Sequence, residues 1–233
     1  LLPWFVILVY RLLVGDGSWA WVLKMSGFLF LLLLQGSFHQ FVWCFGFLAL
    51  LGVTCWRTLP AVIKAGFASV SLSAVRLFPQ ALIVQSLGEH EFQGGFPSLD
   101  SVWQGLTALR SPGEQIPALF SNRMLGWWEL DYYLGLAGVA FVLFFTVASL
   151  LPAPFYKVED RLLRALFRPL LFPLLALLAL SYGGALRIFG ETILTRSERV
   201  PARLASLAFV FLLIQAVLAF QSWLGEPRRT VCA

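Results

Sequence analysis

Residues 204–223 read LASLAFVFLLIQAVLAFQSW, and no charged side chain interrupts this stretch. A helix needs about 20 predominantly apolar residues to cross the hydrocarbon core of a bilayer, so the stretch predicts a transmembrane helix. The same criterion, with glycine, proline and charge clusters as boundaries, predicts an all-α polytopic bundle of about seven spans. The predicted spans are 1–14, 19–35, 38–56, 65–87, 132–152, 169–187 and 204–223.

The composition of the whole chain favours an integral membrane protein with one transmembrane domain over residues 1–233. Of these residues 59% are hydrophobic and 12% are charged, whereas a soluble domain has roughly 45–50% and about 25%. The net charge of +5 comes from short basic clusters between apolar segments. Such clusters set orientation in a bilayer, so nucleic-acid binding is not indicated. Cys44, Cys55 and Cys232 form no CxxC pair and indicate neither a disulfide framework nor a zinc site.

The basic residues also predict the orientation of the spans, because short cytoplasmic loops carry an excess of lysine and arginine. With the C-terminus in the cytoplasm, the inner loops hold Arg57, Lys64, Lys157, Arg161, Arg164, Arg168, Arg228 and Arg229. Arg196, Arg199 and Arg203 then fall on the external side, against the rule. The chain opens inside an apolar run without the charged region of a signal peptide, which predicts an N-terminally truncated piece of a longer protein.

The segment 88–131 is predicted to be a large external loop. It exceeds the roughly 12–15 residues of an ordinary connector and contains six acidic residues but only two arginines. Its many aromatic residues favour packed structure, and tryptophan suits a membrane interface. Asp100 or Ser101 is a candidate helix cap, with Val102, Leu106 and Leu109 at helical spacing. We therefore expect an amphipathic helix along the external surface.

Arg76 falls about halfway along the predicted span 65–87. An arginine at that depth is unfavourable unless it pairs, reaches the interface or lines a wet cavity, which makes it a candidate ligand for a lipid phosphate. Pro79 follows closely and removes an intrahelical hydrogen bond, which can open the helix near Arg76. The alternative is that Arg76 only hydrogen-bonds backbone carbonyls or a neighbouring helix.

Arg187, Arg199 and Arg203 are further candidate ligands for a lipid phosphate. Arg187 ends the predicted sixth span, and the other two flank Pro201 at the start of the seventh. Their forked guanidinium groups suit phosphate, and free amides at a helix N-terminus also favour anions. The alternative is ordinary anchoring at the interface by side chains of this kind.

Asp100, Glu129 and Asp131 are the candidate catalytic carboxylates, because each lies near aromatic residues that would exclude water. A carboxylate there can act as a general base, and an acidic site can add a divalent cation held together with a phosphate. The alternative is that these are solvated loop residues without a function. His39 and His90 lie far apart and support neither a haem site nor a metal triad, so the metal ligands stay unknown.

Three segments carry a resemblance to a known family. They are SAVRLFP at 73–79, GWWELDYYLGLAGVAFVLFF at 126–145 and SERVPARLASLAF at 197–209. In this order, and separated by a long polar loop, they resemble the C-terminal part of bacterial members of the GT-C superfamily. In those membrane glycosyltransferases Tyr-x-Gly-Leu commonly opens a span, and an Arg-x-Pro-x-Arg element precedes a late one. The match covers about the last two thirds of the chain.

The resemblance implies a polyprenyl-phosphate-linked sugar as donor and transfer on the external side of a bacterial inner membrane. It also implies that the family's catalytic aspartate, which lies in the first external loop, precedes this chain. Two alternatives remain. One is a non-catalytic polytopic scaffold subunit that binds membrane partners through aromatic faces, and the other is a lipid or solute transporter.

Overall fold

The computed structural model describes residues 2–86, 92–111, 113–150, 158–189 and 200–224. Within these ranges the chain is mostly helical, as predicted. The α-helices are α1 (Leu2–Leu13), α2 (Trp19–Leu34), α3 (Phe38–Thr54), α4 (Leu59–Ser86), α5 (Leu99–Thr107), α6 (Gly135–Leu150), α7 (Val158–Leu180) and α8 (Ala205–Leu224). The other elements are the strands β1 (Gln115–Pro117) and β2 (Met124–Gly126) and the 3-10 helices Trp127–Glu129, Ala185–Phe189 and Pro201–Leu204.

Two segments in the described part of the chain, Leu59–Pro79 and Pro201–Leu224, are long and apolar enough to cross a membrane. The apolar stretches of the other five helices there, Leu166–Leu180 of α7 among them, have 10–17 residues, so seven full-length spans are not supported. Turns at Gly15 and Gly36, both with positive φ, limit the first helices. The 16 residues of α2 rise only about 24 Å, against a hydrocarbon core of about 30 Å.

Two predicted spans differ from their helices by more than three residues at one end or both. Helix α4 begins at Leu59, before the predicted start at 65. Lys64 lies inside this helix rather than at its boundary, and its ammonium is 5.1 Å from the Trp19 ring centroid. The helix of the predicted sixth span is α7, which begins at Val158 and accommodates Pro169 and Pro173. It ends at Leu180, before Gly183, whose φ of 54° is left-handed.

Helix α4 packs against α2 through small side chains. Ala61, Ala65, Ser69 and Ser73 recur every four residues and are all buried. Small residues at this spacing allow two helices to approach closely. The Ser26 hydroxyl of α2 donates a hydrogen bond of 3.1 Å to the carbonyl of Ala65. This close contact fixes α4 against α2.

The centre of the bundle is aromatic. Phe5, Phe28, Phe47 and Phe211 come from α1, α2, α3 and α8, and all four are buried. The rings of Phe47 and Phe211 stack with centroids 4.6 Å apart, and Phe5 contacts the other three at 5.8–6.1 Å. The first and the last described helices therefore share one apolar core.

A chain of hydrogen-bonded polar side chains joins three helices within this apolar bundle. The Tyr10 hydroxyl donates to Oε1 of Gln215 at 2.9 Å, and Nε2 of Gln215 donates to the Ser149 hydroxyl at 3.1 Å. Ser149 in turn donates to the carbonyl of Thr146 at 2.7 Å. Gln215 is fully buried and provides hydrogen-bond partners for polar groups of both α1 and α6.

Replacing Gln215 with alanine is expected to lower the free energy of unfolding by about 1–2 kcal/mol, because Tyr10 and Ser149 then lose their partner. Thermal unfolding of the purified protein in detergent measures the change. Gln221→Ala, at an exposed position of the same helix, is the matched control and should change stability by less than about 0.5 kcal/mol. Equal effects of the two variants would contradict a stabilising role for the chain.

The described residues of 92–134, which cover most of the predicted external loop, pack together, and we call them the external segment after that prediction. Its core contains Phe96, Leu125 and Leu130, which pack with Val200 and Ala202 before α8. The expected amphipathic helix is α5. Its cap is neither Asp100 nor Ser101 but Ser98, whose hydroxyl accepts from the Ser101 amide at 3.0 Å while the Ser101 hydroxyl accepts from the Ser98 amide. The β1–β2 hairpin was not expected.

Candidate functional site

The external segment is fastened to the end of α7 by backbone hydrogen bonds. The amide of Gly95 donates to the carbonyl of Gly183 at 2.8 Å, and the amide of Phe96 donates to that of Ser181 at 3.0 Å. The amide of Gly183 returns a bond to the carbonyl of Phe96 at 2.8 Å. The Ser181 carbonyl oxygen lies only 1.9 Å from where a Cβ on Gly95 would be. Glycine is therefore required for this close approach.

A second set of bonds places residues 129–134 between α5 and the start of α8. The amide of Tyr132 donates to the carbonyl of Gly105 at 3.0 Å, and the amide of Leu134 donates to that of Leu106 at 2.9 Å. The Tyr132 hydroxyl donates to the carbonyl of Ala202 at 2.9 Å. Glu129 is thereby held beside the 3-10 helix Pro201–Leu204.

Glu129 and Arg203 form a two-pronged ion pair at this junction. Nε of Arg203 donates to Oε2 of Glu129 and Nη2 donates to Oε1, both at 2.5 Å. The Glu129 side chain is 8% exposed and that of Arg203 is 31% exposed. The guanidinium carbon also lies 5.8 Å from the Trp128 ring centroid. A candidate catalytic carboxylate and a candidate phosphate ligand are thus direct partners, which spacing in the sequence does not reveal.

Arg187 also contacts the external segment, but through aromatic rings. The sequence predicted Arg187 at the end of the sixth span, but it lies in the 3-10 helix Ala185–Phe189, after the end of α7. Its guanidinium carbon is 4.8 Å from the ring centroid of Phe120 and 5.9 Å from that of Phe92. The side chain is exposed, so these cation–π contacts hold a positive charge at the surface of the segment.

Arg76, which lies in the candidate span Leu59–Pro79 of α4, contacts the end of α2. Nη1 of Arg76 donates to the carbonyl of Leu34, the last residue of α2, at 3.2 Å. This contact satisfies a carbonyl at a helix C-terminus and suits the negative end of the helix dipole. Pro79 does not interrupt α4, which continues to Ser86.

The contacts of the arginines differ. Arg76 contacts α2, Arg187 contacts Phe92 and Phe120, and Arg203 contacts Glu129 and Trp128. Arg199, the fourth candidate, lies outside the described residues. The contacts bring Arg187 and Arg203 to the external segment and leave Arg76 at the end of α2.

Asp100 belongs to a different polar network on α5. Nε2 of Gln104 donates to its Oδ2 at 2.5 Å, and Arg110 donates both to Gln104 and to Glu114. The guanidinium of Arg110 covers the Trp127 ring at 4.5 Å. Sequence reasoning missed this network, although the spacing of four between Asp100 and Gln104 on a helix signals such a contact.

The third candidate carboxylate, Asp131, accepts a hydrogen bond of 3.0 Å from the amide of Tyr133 and so stabilises the turn before α6. Within the described ranges no group of three or more histidine, cysteine, aspartate or glutamate residues is arranged to hold a metal ion. His39 packs near Trp43, with ring centroids 6.3 Å apart, and His90 lies outside those ranges. Among the candidate carboxylates, Glu129 is the one described in contact with a candidate phosphate ligand.

Comparison of the chain with protein-family models, with curated proteins and with solved structures finds no match. The resemblance to the GT-C superfamily therefore depends on the three sequence segments alone.

Proposed function

We propose that the chain is the membrane-embedded part of a GT-C-like glycosyltransferase. It transfers a sugar from a polyprenyl-phosphate carrier to an acceptor on the external side of a bacterial inner membrane. The observation that supports this proposal is the contact between Glu129 and Arg203. Such a transfer uses a carboxylate as general base and a cation to bind the carrier phosphate, and these two residues meet where the external segment contacts the start of α8.

In the proposed orientation all seven apolar helices lie in the bilayer and the C-terminus is cytoplasmic. Helices shorter than the hydrocarbon core are accommodated by local thinning of the bilayer and by flanking side chains that reach the interface. The parallel course of α2 and α4 supports a common external end: Trp19 lies near Lys64, and Leu34 lies near Arg76. The C-termini of α2, α4 and α7 and the N-termini of α6 and α8 then face outward.

The proposed reaction uses the two residues in different roles. The acceptor hydroxyl oxygen attacks the anomeric carbon of the donor sugar, and the bond from that carbon to the phosphate oxygen breaks. The electron pair of the broken bond stays on the carrier phosphate, which Arg203 stabilises through charge-assisted hydrogen bonds. The acceptor proton passes to the Glu129 carboxylate as general base. Arg187, at the surface of the external segment, attracts the anionic head group by its charge.

Selective binding of a phosphate head group tests this function. The full chain in lipid nanodiscs should bind a short-chain prenyl phosphate at least about tenfold more tightly than the matching prenyl alcohol, as expected for hydrogen bonds to a charged group. Arg203→Met should remove most of this preference. Arg110→Met, which removes an arginine from another ion pair of the same segment, should leave it unchanged. Equal binding of phosphate and alcohol by the unmodified protein would contradict the proposal.

A scaffold subunit is the second candidate, because the ion pair neutralises both of its members. In that case Glu129 and Arg203 serve only to hold the external segment on α8. Large apolar side chains of α4, including Phe67, Val75 and Phe78, are more than 70% exposed within the chain and would contact partner helices. A scaffold would show no preference for the prenyl phosphate and would lose its partners when these side chains are changed.

A further inference from the structure

The ion pair uses the part of Arg203 that a phosphate would need. Nε and Nη2, which are aligned for two parallel hydrogen bonds, both donate to Glu129. Carboxylate and phosphate are alternative ligands for this same guanidinium geometry. A phosphate head group can therefore accept hydrogen bonds from Nε and Nη2 of Arg203 only when Glu129 no longer accepts them.

We propose that the carrier phosphate displaces Glu129 from Arg203, so that binding of the donor frees the carboxylate that acts as the base. This inference rests on the proposed function and adds an order of events to it. Before the donor binds, both carboxylate oxygens accept hydrogen bonds from Arg203. After the exchange, the phosphate accepts those bonds and Glu129 is able to accept the proton of the acceptor hydroxyl.

The surroundings of the pair suit such an exchange. The Arg203 side chain is 31% exposed, so an incoming anion reaches it, whereas Glu129 is 8% exposed. Trp128, which is 61% exposed, lies against the guanidinium with 5.8 Å from its ring centroid to the guanidinium carbon. A cation–π contact does not depend on the carboxylate. It therefore keeps Arg203 in position while one anion replaces the other.

A second ion pair of the external segment offers a matched control. Arg110 pairs with Glu114 and covers Trp127 at 4.5 Å, as Arg203 pairs with Glu129 and lies near Trp128. Arg110 and Glu114 are 30% and 38% exposed, and Glu114 lies four residues after its partner. Removal of the Glu114 carboxylate changes the charge of the segment equally but leaves Arg203 and Glu129 bonded.

Binding of the short-chain prenyl phosphate to the full chain in nanodiscs tests the exchange. Glu129→Gln should bind it about tenfold more tightly than the unmodified chain, because less binding energy is used to open the pair. Glu114→Gln should bind as the unmodified chain does. Glu129→Asp keeps the charge but shortens the side chain, which weakens its two hydrogen bonds with Arg203. If these bonds compete with the phosphate, this variant should gain affinity by about threefold, less than Glu129→Gln.

The outcomes separate the two proposals. If the unmodified chain prefers the phosphate to the alcohol but neither Glu129 variant binds more tightly, the exchange is wrong and the proposed function stands. If Glu114→Gln tightens binding as much as Glu129→Gln, general charge is responsible and the exchange is again wrong. If no form of the protein prefers the phosphate, both proposals fail. Should Glu129→Gln not fold, the Glu129→Asp comparison decides alone.

Discussion

Alanine in place of Gly95 should separate the external segment from the end of α7 and lower the free energy of unfolding by about 3–5 kcal/mol. The added Cβ would lie 1.9 Å from the carbonyl oxygen of Ser181 and 2.7 Å from its carbonyl carbon. Both atoms belong to the backbone, so no side-chain rotation relieves the overlap. The three hydrogen bonds between residues 95–96 and 181–183 would have to break. Thermal unfolding and hydrogen exchange of the Phe96 amide measure the effect.

Gly113 is the control for this substitution. It belongs to the same external segment, and a Cβ built there meets no atom within 4 Å. Gly113→Ala should therefore leave stability within about 1 kcal/mol of the unmodified protein. Fast exchange of the Phe96 amide in the unmodified protein would show that the hydrogen bonds between residues 95–96 and 181–183 are already open, and would contradict the prediction.

Much of the helical architecture could be predicted, because it depends on local composition. An apolar run such as 204–223 has few alternatives to a buried or membrane helix. Short polar and glycine-containing breaks, as at Gly36, ended helices where expected. Prolines and single lysines were poorer guides. Spans were predicted to start just after Lys64 and at Pro169, yet both residues lie inside longer helices, where proline can be accommodated and lysine can reach the interface.

The external segment could be predicted only in part. Its aromatic content indicated packing, and the spacing after Val102 indicated α5. The hairpin, by contrast, consists of two strands of three residues each, in which Ile116 pairs with Leu125. Alternation of apolar and polar residues gives no signal over so short a strand. The bridge between Phe96 and Tyr182 joins residues far apart in the chain. Contacts of this kind depend on tertiary packing, which no local pattern encodes.

The candidate site shows the same limit. Composition and spacing identified Glu129 and Arg203 as candidates for separate roles, but their contact spans 74 positions. For Arg76 the sequence left two interpretations open, a phosphate ligand or a hydrogen bond to a backbone carbonyl of a neighbouring helix. The structure contains the second contact, since Arg76 lies level with the end of α2 at Leu34. Which helix ends meet depends on tertiary packing, which residue spacing along one helix does not encode.

Arg203→Met should lower the free energy of unfolding by about 3 kcal/mol, because it leaves the Glu129 carboxylate buried without its cation. Glu129→Gln should have a smaller effect, since the amide oxygen can still accept from the guanidinium. The double variant should be more stable than the two single losses together predict, by about 2 kcal/mol, because it leaves no unpaired buried charge. Thermal unfolding of the four proteins in one detergent provides this cycle.

The Arg110 and Glu114 pair shows whether the coupling reflects burial. Both of these side chains are about one third exposed, whereas Glu129 is almost fully covered. Exposed pairs contribute roughly 0–1 kcal/mol, so the cycle of Arg110→Met and Glu114→Gln should give a coupling below about 1 kcal/mol. Similar couplings for both pairs would show that the Glu129 carboxylate is well solvated. A carboxylate in that state would not need Arg203, and the pair would then not be the bond that fixes the external segment on α8.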